Sequence, residues 1–361
     1  MQRRGFGWRR HEDRPPTCVT LDVATPAAVV DLDRLESNLA RWQEHCDRVG
    51  LSNRPHVKTH KCVEIARRQI DLGACGVTCQ TLHEAEVMVD AGIDDVLVPY
   101  NIVGGRRLEQ LALLLGRATV SVTADDPSLL AGLSGAASDA GRELGVLVDC
   151  DTGLGRTGVS SPEDAAELAS AIARTPGLRL AGLLTFPTPP GAPAFLEAAS
   201  ALIRRRGLPV ATVSVGGTPA MWQSGELRPL VTEYRAGTYA CNDRNTVTSG
   251  AATLDEVALT VVATVVSRRD GRAIVDAGSK ALSSERAAGG FGFVLEAPGS
   301  TLVRLDEEHG YVELAARDDL ELGQQVRVVP NHVCLAVNLT DELVAVRGGE
   351  VADRWRVERG R

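Results

Sequence analysis

Arg54-Pro55-His56-Val57-Lys58-Thr59-His60-Lys61 is the stretch on which the reading of this chain turns. Residues 54–58 have the pattern of a short strand, and His60-Lys61-Cys62 opens a helical segment ending near Gly73. A lysine placed where a buried strand runs out into a loop loses hydration, and the positive neighbours Arg54 and Lys61 add repulsion. Both effects favour the neutral amine, the form that a Schiff-base nucleophile requires. A solvated lysine in a polar loop is the better reading of this segment in isolation, and the rest of the chain reverses it.

Downstream, strand-like and helix-like segments alternate. Residues 76–79 precede a helical segment at 81–91, 96–98 precede 105–115, and 119–122 precede 127–140. Residues 146–149 then precede 162–174, 180–185 precede 193–206, and 211–215 and 233–237 close the series. With the lysine strand this makes eight short, β-branched strands in the rhythm of a parallel sheet. The pattern predicts an α/β chain built on a (β/α)8 TIM barrel, with its active site at the C-terminal ends of the strands. A doubly wound sheet is the alternative. Upstream, residues 27–31 read as a strand, and Leu32, Leu35, Leu39, Trp42, Cys46 and Val49 recur at helical spacing as far as Gly50. After about Val247 the texture changes to strand-like runs at 257–268, 272–276, 302–305, 311–315, 325–329, 333–339 and 342–347. These predict a second, mainly β C-terminal domain. The expected division is a disordered lead-in over 1–14, a barrel over 25–247, and a β domain formed by 15–24 with 248–361.

The chain has 361 residues, is 44% hydrophobic and carries a formal net charge of −8. That length supports a large core plus a smaller domain. The acidic balance argues against nucleic acid and anionic membranes as partners. Apolar runs stay strand-length, short of the roughly 18 residues of a membrane span. The polar, basic start lacks the apolar centre of a signal peptide. Eight cysteines without a paired framework suit reduced thiols in a cytoplasmic enzyme.

Polar residues stand where strands should end: Gln80, Asp149, Asp151, and Arg156 in the glycine-rich run 151–158. Ser214-Val215-Gly216-Gly217-Thr218-Pro219 and Arg235-Ala236-Gly237-Thr238-Tyr239 close the seventh and eighth strands. Glycines with hydroxyls there let backbone N–H groups approach a phosphate, although a Gly-Gly turn is more often structural. In the β domain, Pro330-Asn331-His332-Val333-Cys334 reads as strand, so that His332 and Cys334 share a face and can reach one ion. Imidazole plus thiolate suits zinc or another borderline cation, and two protein ligands leave room for water and substrate. A buried cysteine beside a hydrogen-bonded histidine is the plainer account of the same spacing.

Thr25-Pro26, the run from Val30 to Leu39, the 54–61 stretch and Pro330-Asn331-His332-Val333-Cys334 together resemble the alanine-racemase-like (fold type III) pyridoxal-phosphate enzymes. More narrowly, they resemble the D-threonine aldolase and D-serine dehydratase family, from about Thr25 to the C-terminus. The resemblance implies a pyridoxal 5'-phosphate barrel, a β domain, a homodimer, and a divalent metal beside the cofactor (zinc or manganese, with magnesium and cobalt as alternatives). By position it makes Lys58 the Schiff-base lysine and places Arg156 near the cofactor's phenolic oxygen. Gly216, Gly217, Thr218, Gly237 and Thr238 become the phosphate loops, with Ser214, Tyr239, Gln80 and His56 beside the cofactor. Arg235 falls opposite the pyridine nitrogen, and His332 and Cys334 become the metal pair. His56 is as well explained by packing inside the barrel mouth.

Two departures narrow the activity. The chain has a His-x-Cys pair that racemases of this fold lack, so racemization is not expected. Some relatives carry a histidine where this chain has Thr185-Phe186-Pro187-Thr188-Pro189, which leaves His60 or a metal-bound water as the expected base. The expected reaction is retro-aldol cleavage of D-β-hydroxy-α-amino acids to glycine and an aldehyde. Dehydration to a 2-oxo acid and ammonia is the alternative. A non-catalytic pyridoxal-phosphate-binding protein is a reading of another class, disfavoured by the β domain and its His-x-Cys pair.

Overall fold

The computed structural model describes residues 20–287 and 289–360, so the expected lead-in over 1–14 lies outside the described residues. The first half runs β1 (Ala27–Asp31), α1 (Leu32–Val49), β2 (Ser52–Asn53), α2 (Val63–Asp71), β3 (Val77–Thr78), α3 (Leu82–Asp90), β4 (Asp95–Val98) and α4 (Gly105–Leu115). It continues with β5 (Thr119–Ala124), α5 (Leu130–Ala140), β6 (Leu144–Cys150), α6 (Pro162–Arg174), β7 (Leu178–Thr185), α7 (Ala192–Arg205), β8 (Thr212–Gly216) and β9 (Glu233–Arg235). Strands β2 to β9 form one parallel sheet in the order β2-β9-β8-β7-β6-β5-β4-β3. A parallel bridge between His56 and Thr78, with Thr78 N–H donating to Pro55 O at 2.8 Å, joins the two end strands. The sheet is therefore the predicted eight-stranded barrel. Strand β6 is buried along its whole length, as expected of a sheet with helices outside and side chains inside.

The lysine strand is shorter than its sequence suggests. Regular pairing covers Ser52 and Asn53, the chain stays extended to His56, and Val57–Thr59 then form a 3-10 turn. Lys58 thus sits in the turn that follows the strand.

The described C-terminal part comprises α8 (Arg244–Thr248), β10 (Leu259–Arg269), β11 (Arg272–Val275), α9 (Ser279–Leu282), β12 (Gly292–Val294), β13 (Thr301–Leu305) and β14 (Gly310–Glu313). It ends with β15 (Gln325–Pro330), α10 (Val333–Val337), β16 (Glu342–Arg347) and β17 (Glu350–Arg356). Most of its strand pairs are antiparallel, with the path β13-β14-β11-β10-β1-β16-β17 and β15 joining β10 to β12. The boundary at residue 25 therefore needs correction. β1 lies inside this second sheet, antiparallel to β10 and parallel to β16. Its apolar run is packed on both faces, Ala28 and Val30 toward the barrel core and Ala27 and Val29 on the other side, and the helix that follows returns to the barrel. Leu21 packs with Val29, Val262, Val344 and Val346 on the same sheet.

Helix α1 is held at its start by Asp31, whose side chain accepts the Arg34 N–H, and ends at Gly50 in the left-handed conformation. It buries Leu35, Leu39 and Trp42 against the barrel. The Trp42 indole donates to Asn53 Oδ1 at 2.9 Å, and its ring meets Tyr234 edge-on at 5.3 Å between centroids. Tryptophan truncation at such a site typically costs about 3–5 kcal/mol. Among the described residues no helix is long and apolar enough to cross a membrane. The described cysteines are free thiols.

Candidate active site

His56 begins the turn at the mouth of β2, its Nδ1 accepting the Lys58 N–H at 3.4 Å. Lys58 Nζ donates to Gln80 Oε1 at 3.4 Å and stands 5.9 Å from the centre of the Phe186 ring. Burial lowers the amine's proton affinity; Arg156 and Arg235 lower it further, while Cys334 and Glu84 oppose them. The predicted direction holds, but the neighbours differ. Arg54 is turned away into ion pairs with Glu233 at 2.6 Å and Asp95 at 2.7 Å. Lys61 is paired with the buried carboxylate of Glu84.

At the adjacent strand ends, two glycines are dictated by space. A Cβ on Gly216 would lie 2.6 Å from Arg235 O, and one on Gly237 would lie 2.9 Å from Thr59 Oγ1. Each strand end leads into a 3-10 turn, at Thr218–Leu227 and Thr238–Ala240. The first N–H groups of such turns have no acceptor within the turn itself and are suited to an anion. Arg235 is buried, its guanidinium donating to Ser214 Oγ and, at 2.9 Å, to Thr185 O; burial draws it down to about 10. Ser214 in turn donates to Glu233 Oε1 at 2.6 Å. Arg156 is exposed and lies 5.5 Å from the Phe186 ring centre, so this ring has cations from Lys58 and Arg156 against it. The Arg156 loop is shaped by Asp151, which accepts the N–H groups of Gly153, Leu154 and Gly155. A lysine with depressed basicity, a side-chain-free cradle and a buried arginine form a donor set that fits pyridoxal phosphate.

His332 and Cys334 converge for a different reason than the sequence suggests. Residues 333–339 are not a strand: His332 precedes helix α10, and Cys334 lies in its first turn. The helix starts because Asp243, itself buried, accepts the Val333 N–H at 3.0 Å, while Asn331 donates to Glu285 O and Gly290 O. The two side chains meet over this turn. A hydrogen bond with Cys334, the cysteine's charge and Glu285 push the His332 imidazole up to about 9 against the effect of burial. The Cys334 sulfur is 3.3 Å from Thr59 Oγ1, on the residue next to Lys58. Lys58 and Cys334 line one cleft of about 530 Å³, together with Lys61, Gln80, Glu84 and Tyr100. Among the described residues no group of three or more His, Cys, Asp or Glu is placed to hold a metal. The pair therefore offers two ligands, one imidazole and one thiolate, which fits a borderline divalent ion with positions left for water and substrate.

Of the expected site residues, Lys58, Gln80 and Cys334 line this cleft, while His60 and Tyr239 are packed away inside the protein. His60 is fully buried with Nδ1 accepting the Cys62 N–H at 3.2 Å, and burial lowers it to about 4. It is set aside as the base. Its folded value lies below the ordinary 6.5, so the unfolded chain binds the extra proton first. Stability should therefore fall as pH drops from about 6.5 to about 4, by about 3 kcal/mol from this group. Urea unfolding of wild type and His60→Gln at pH 7 and pH 4 measures this; equal pH dependence of the two would refute it. Tyr239 is likewise buried, its ring 6.0 Å from that of Trp42 and its hydroxyl bonded to Gln69 at 3.0 Å. Only its main chain can serve the cradle.

Other residues at the site escaped the sequence reading. Glu84 pairs with Lys61 and accepts the Gln80 N–H at 2.6 Å, fixing the residue that meets Lys58. Its visible signal, Thr81-x-x-Glu84, is that of a helix start, and Thr81 Oγ1 does accept the Glu84 N–H at 3.1 Å. Asp243, Glu285 and Phe186 carried no local signal.

Residues 30–244 match the family described as alanine racemase, N-terminal domain, and residues 258–346 match a putative serine dehydratase domain. The chain is 36% identical to a D-threonine aldolase of Arthrobacter sp. over 93% of its own length and 92% of the relative's. It is also 36% identical to a D-threo-3-hydroxyaspartate dehydratase of Delftia sp. (strain HT23), over 88% of this chain and 92% of that one. Among solved structures, a variant D-threo-3-hydroxyaspartate dehydratase in its metal-free form superposes with a TM-score of 0.85 at 33% identity, covering 94% of this chain and 99% of that one.

Proposed function

This chain belongs to the D-threonine aldolase and D-serine dehydratase family of alanine-racemase-like proteins, and on that premise we propose that it is a lyase cleaving D-β-hydroxy-α-amino acids by retro-aldol reaction to glycine and an aldehyde. The observation that carries the reading is one cleft with Lys58 and Cys334 on its walls. Lys58, the glycine cradle and Arg235 would hold pyridoxal phosphate, whose ring would supply an electron sink. His332 and Cys334 would hold a divalent ion, which would supply Lewis acidity.

The chain's own residues do the rest. Lys58 holds an amine whose basicity burial lowers, which favours its neutral, proton-accepting form, and Gln80, fixed by Glu84, orients that amine. Arg235, locked by Ser214 and Thr185, keeps a positive charge at the barrel mouth. Phe186 has Lys58 and Arg156 near its ring, 5.9 Å and 5.5 Å from its centre. A homodimer is part of the same reading, supported by exposed Tyr100, Leu335 and Leu339 in and beside the cleft. A cytoplasmic setting is supported by the free thiols.

Elimination to a 2-oxo acid and ammonia is a second reading, favoured by one observation: the buried Lys58 amine lines the cleft as a base suited to a Cα proton. Incubation with D-threonine and D-serine separates the two. Glycine with acetaldehyde from D-threonine is expected, whereas oxo acid and ammonia without glycine would overturn the aldolase choice.

A further inference from the structure

The loop after α9 places a carboxylate behind the metal pair. Glu285 Oε2 lies 3.0 Å from His332 Nδ1. A carboxylate can only accept, so Nδ1–H donates to it, which leaves Nε2 as the nitrogen that can give up its proton to an ion. The second carboxylate oxygen, Oε1, accepts from Asn245 Nδ2 at 3.1 Å, which holds the carboxylate from its other side. The main chain at the same residue is fixed as well: Asn331, buried and adjacent to His332, donates its side-chain N–H to Glu285 O at 2.9 Å. Loop and pair are thus tied at both backbone and side chain, although 47 positions separate Glu285 from His332.

We propose that Glu285 is a positioning residue that fixes the tautomer and ring direction of His332, and so sets how tightly the His332–Cys334 pair holds a divalent ion. The proposal rests on the reading of that pair as a metal site. An imidazole whose outer nitrogen is anchored to a carboxylate loses less rotational freedom on binding an ion, and the carboxylate's charge makes the inner nitrogen a better donor. Glu285 is half-buried and lies in a loop, and the bond from Asn331 to its main-chain oxygen does not depend on its side chain.

The test titrates zinc into metal-free wild type, Glu285→Gln and Glu285→Ala against a chromophoric chelator. Glu285→Ala should weaken zinc binding about 10- to 100-fold, the range found for such outer partners. Glu285→Gln, which keeps an acceptor but no charge, should fall between, and it carries the test should the alanine variant not fold. The melting temperature of the metal-free proteins and their affinity for pyridoxal phosphate should stay at wild-type values, which a merely structural role would not allow. Equal zinc affinity in wild type and both variants overturns the proposal. Zinc binding that is equally weak in wild type and Cys334→Ala instead removes the metal site itself, and the proposal with it.

Discussion

Lys58→Ala is expected to lower kcat/KM for D-threonine by at least about 10³-fold, the scale of losing a positioned proton-transfer group. The amine is buried, meets Gln80, and is disfavoured in its charged form by burial and by Arg156 and Arg235. No other lysine matches this setting: Lys61 also lines the cleft, but its ammonium is bound to the buried Glu84 carboxylate. Lys58→Arg should be nearly as damaging, since a guanidinium keeps the charge and loses the nucleophile. The check needs two measurements, steady-state rate and borohydride fixation of pyridoxal phosphate. Wild type should yield a labelled peptide containing Lys58, and both variants none. Label on another peptide in wild type would defeat the assignment of the lysine and every role arranged around it.

The second large effect concerns the ion. Treatment with a chelator, or Cys334→Ala, should reduce kcat by about 10³-fold, equivalent to about 4 kcal/mol of transition-state stabilisation. Activity after chelation should return with zinc or manganese. Cys334→Asp keeps a ligand at the same point of α10 but replaces a soft sulfur by hard oxygen. It should therefore recover part of the rate and shift the preference from zinc toward manganese or magnesium. Full activity in chelator, with no metal retained in the protein, would remove the ion from the account.

The barrel was legible because most of its strands are short and apolar and alternate with helices, some with a start signal such as Thr81, Ser161 or Pro162. Lys58 and the glycines were legible for a related reason: they interrupt that pattern at strand ends, where a side chain must either leave or do chemistry. Three errors share a cause. β1 was given to the barrel, residues 333–339 were given to a sheet, and His60 was given to the cleft. In each case the residue run fitted the local pattern, and the folded surroundings decided the outcome. For β1 these were β10 and β16, for α10 the buried Asp243, and for His60 the Cys62 N–H and close packing. Glu84, Asp243 and Glu285 were invisible because acidic residues are common on surfaces, and only the folded chain shows which ones are turned inward. Arg54 teaches the converse, since proximity in sequence to Lys58 did not make it a neighbour in electrostatic effect.

The interlock of the first strand with the last ones governs how this chain can be made. Because β1 sits between β10 and β16, the middle of the second sheet is complete only once residues 342–347 have left the ribosome. The barrel segments can begin to associate during synthesis, but the early strand gains its first partner only at residues 259–262 and its second only at 344–346. Fusion or dissection at the sequence boundary near residue 247 would strand that segment permanently, so the two lobes must be inherited as a single unit.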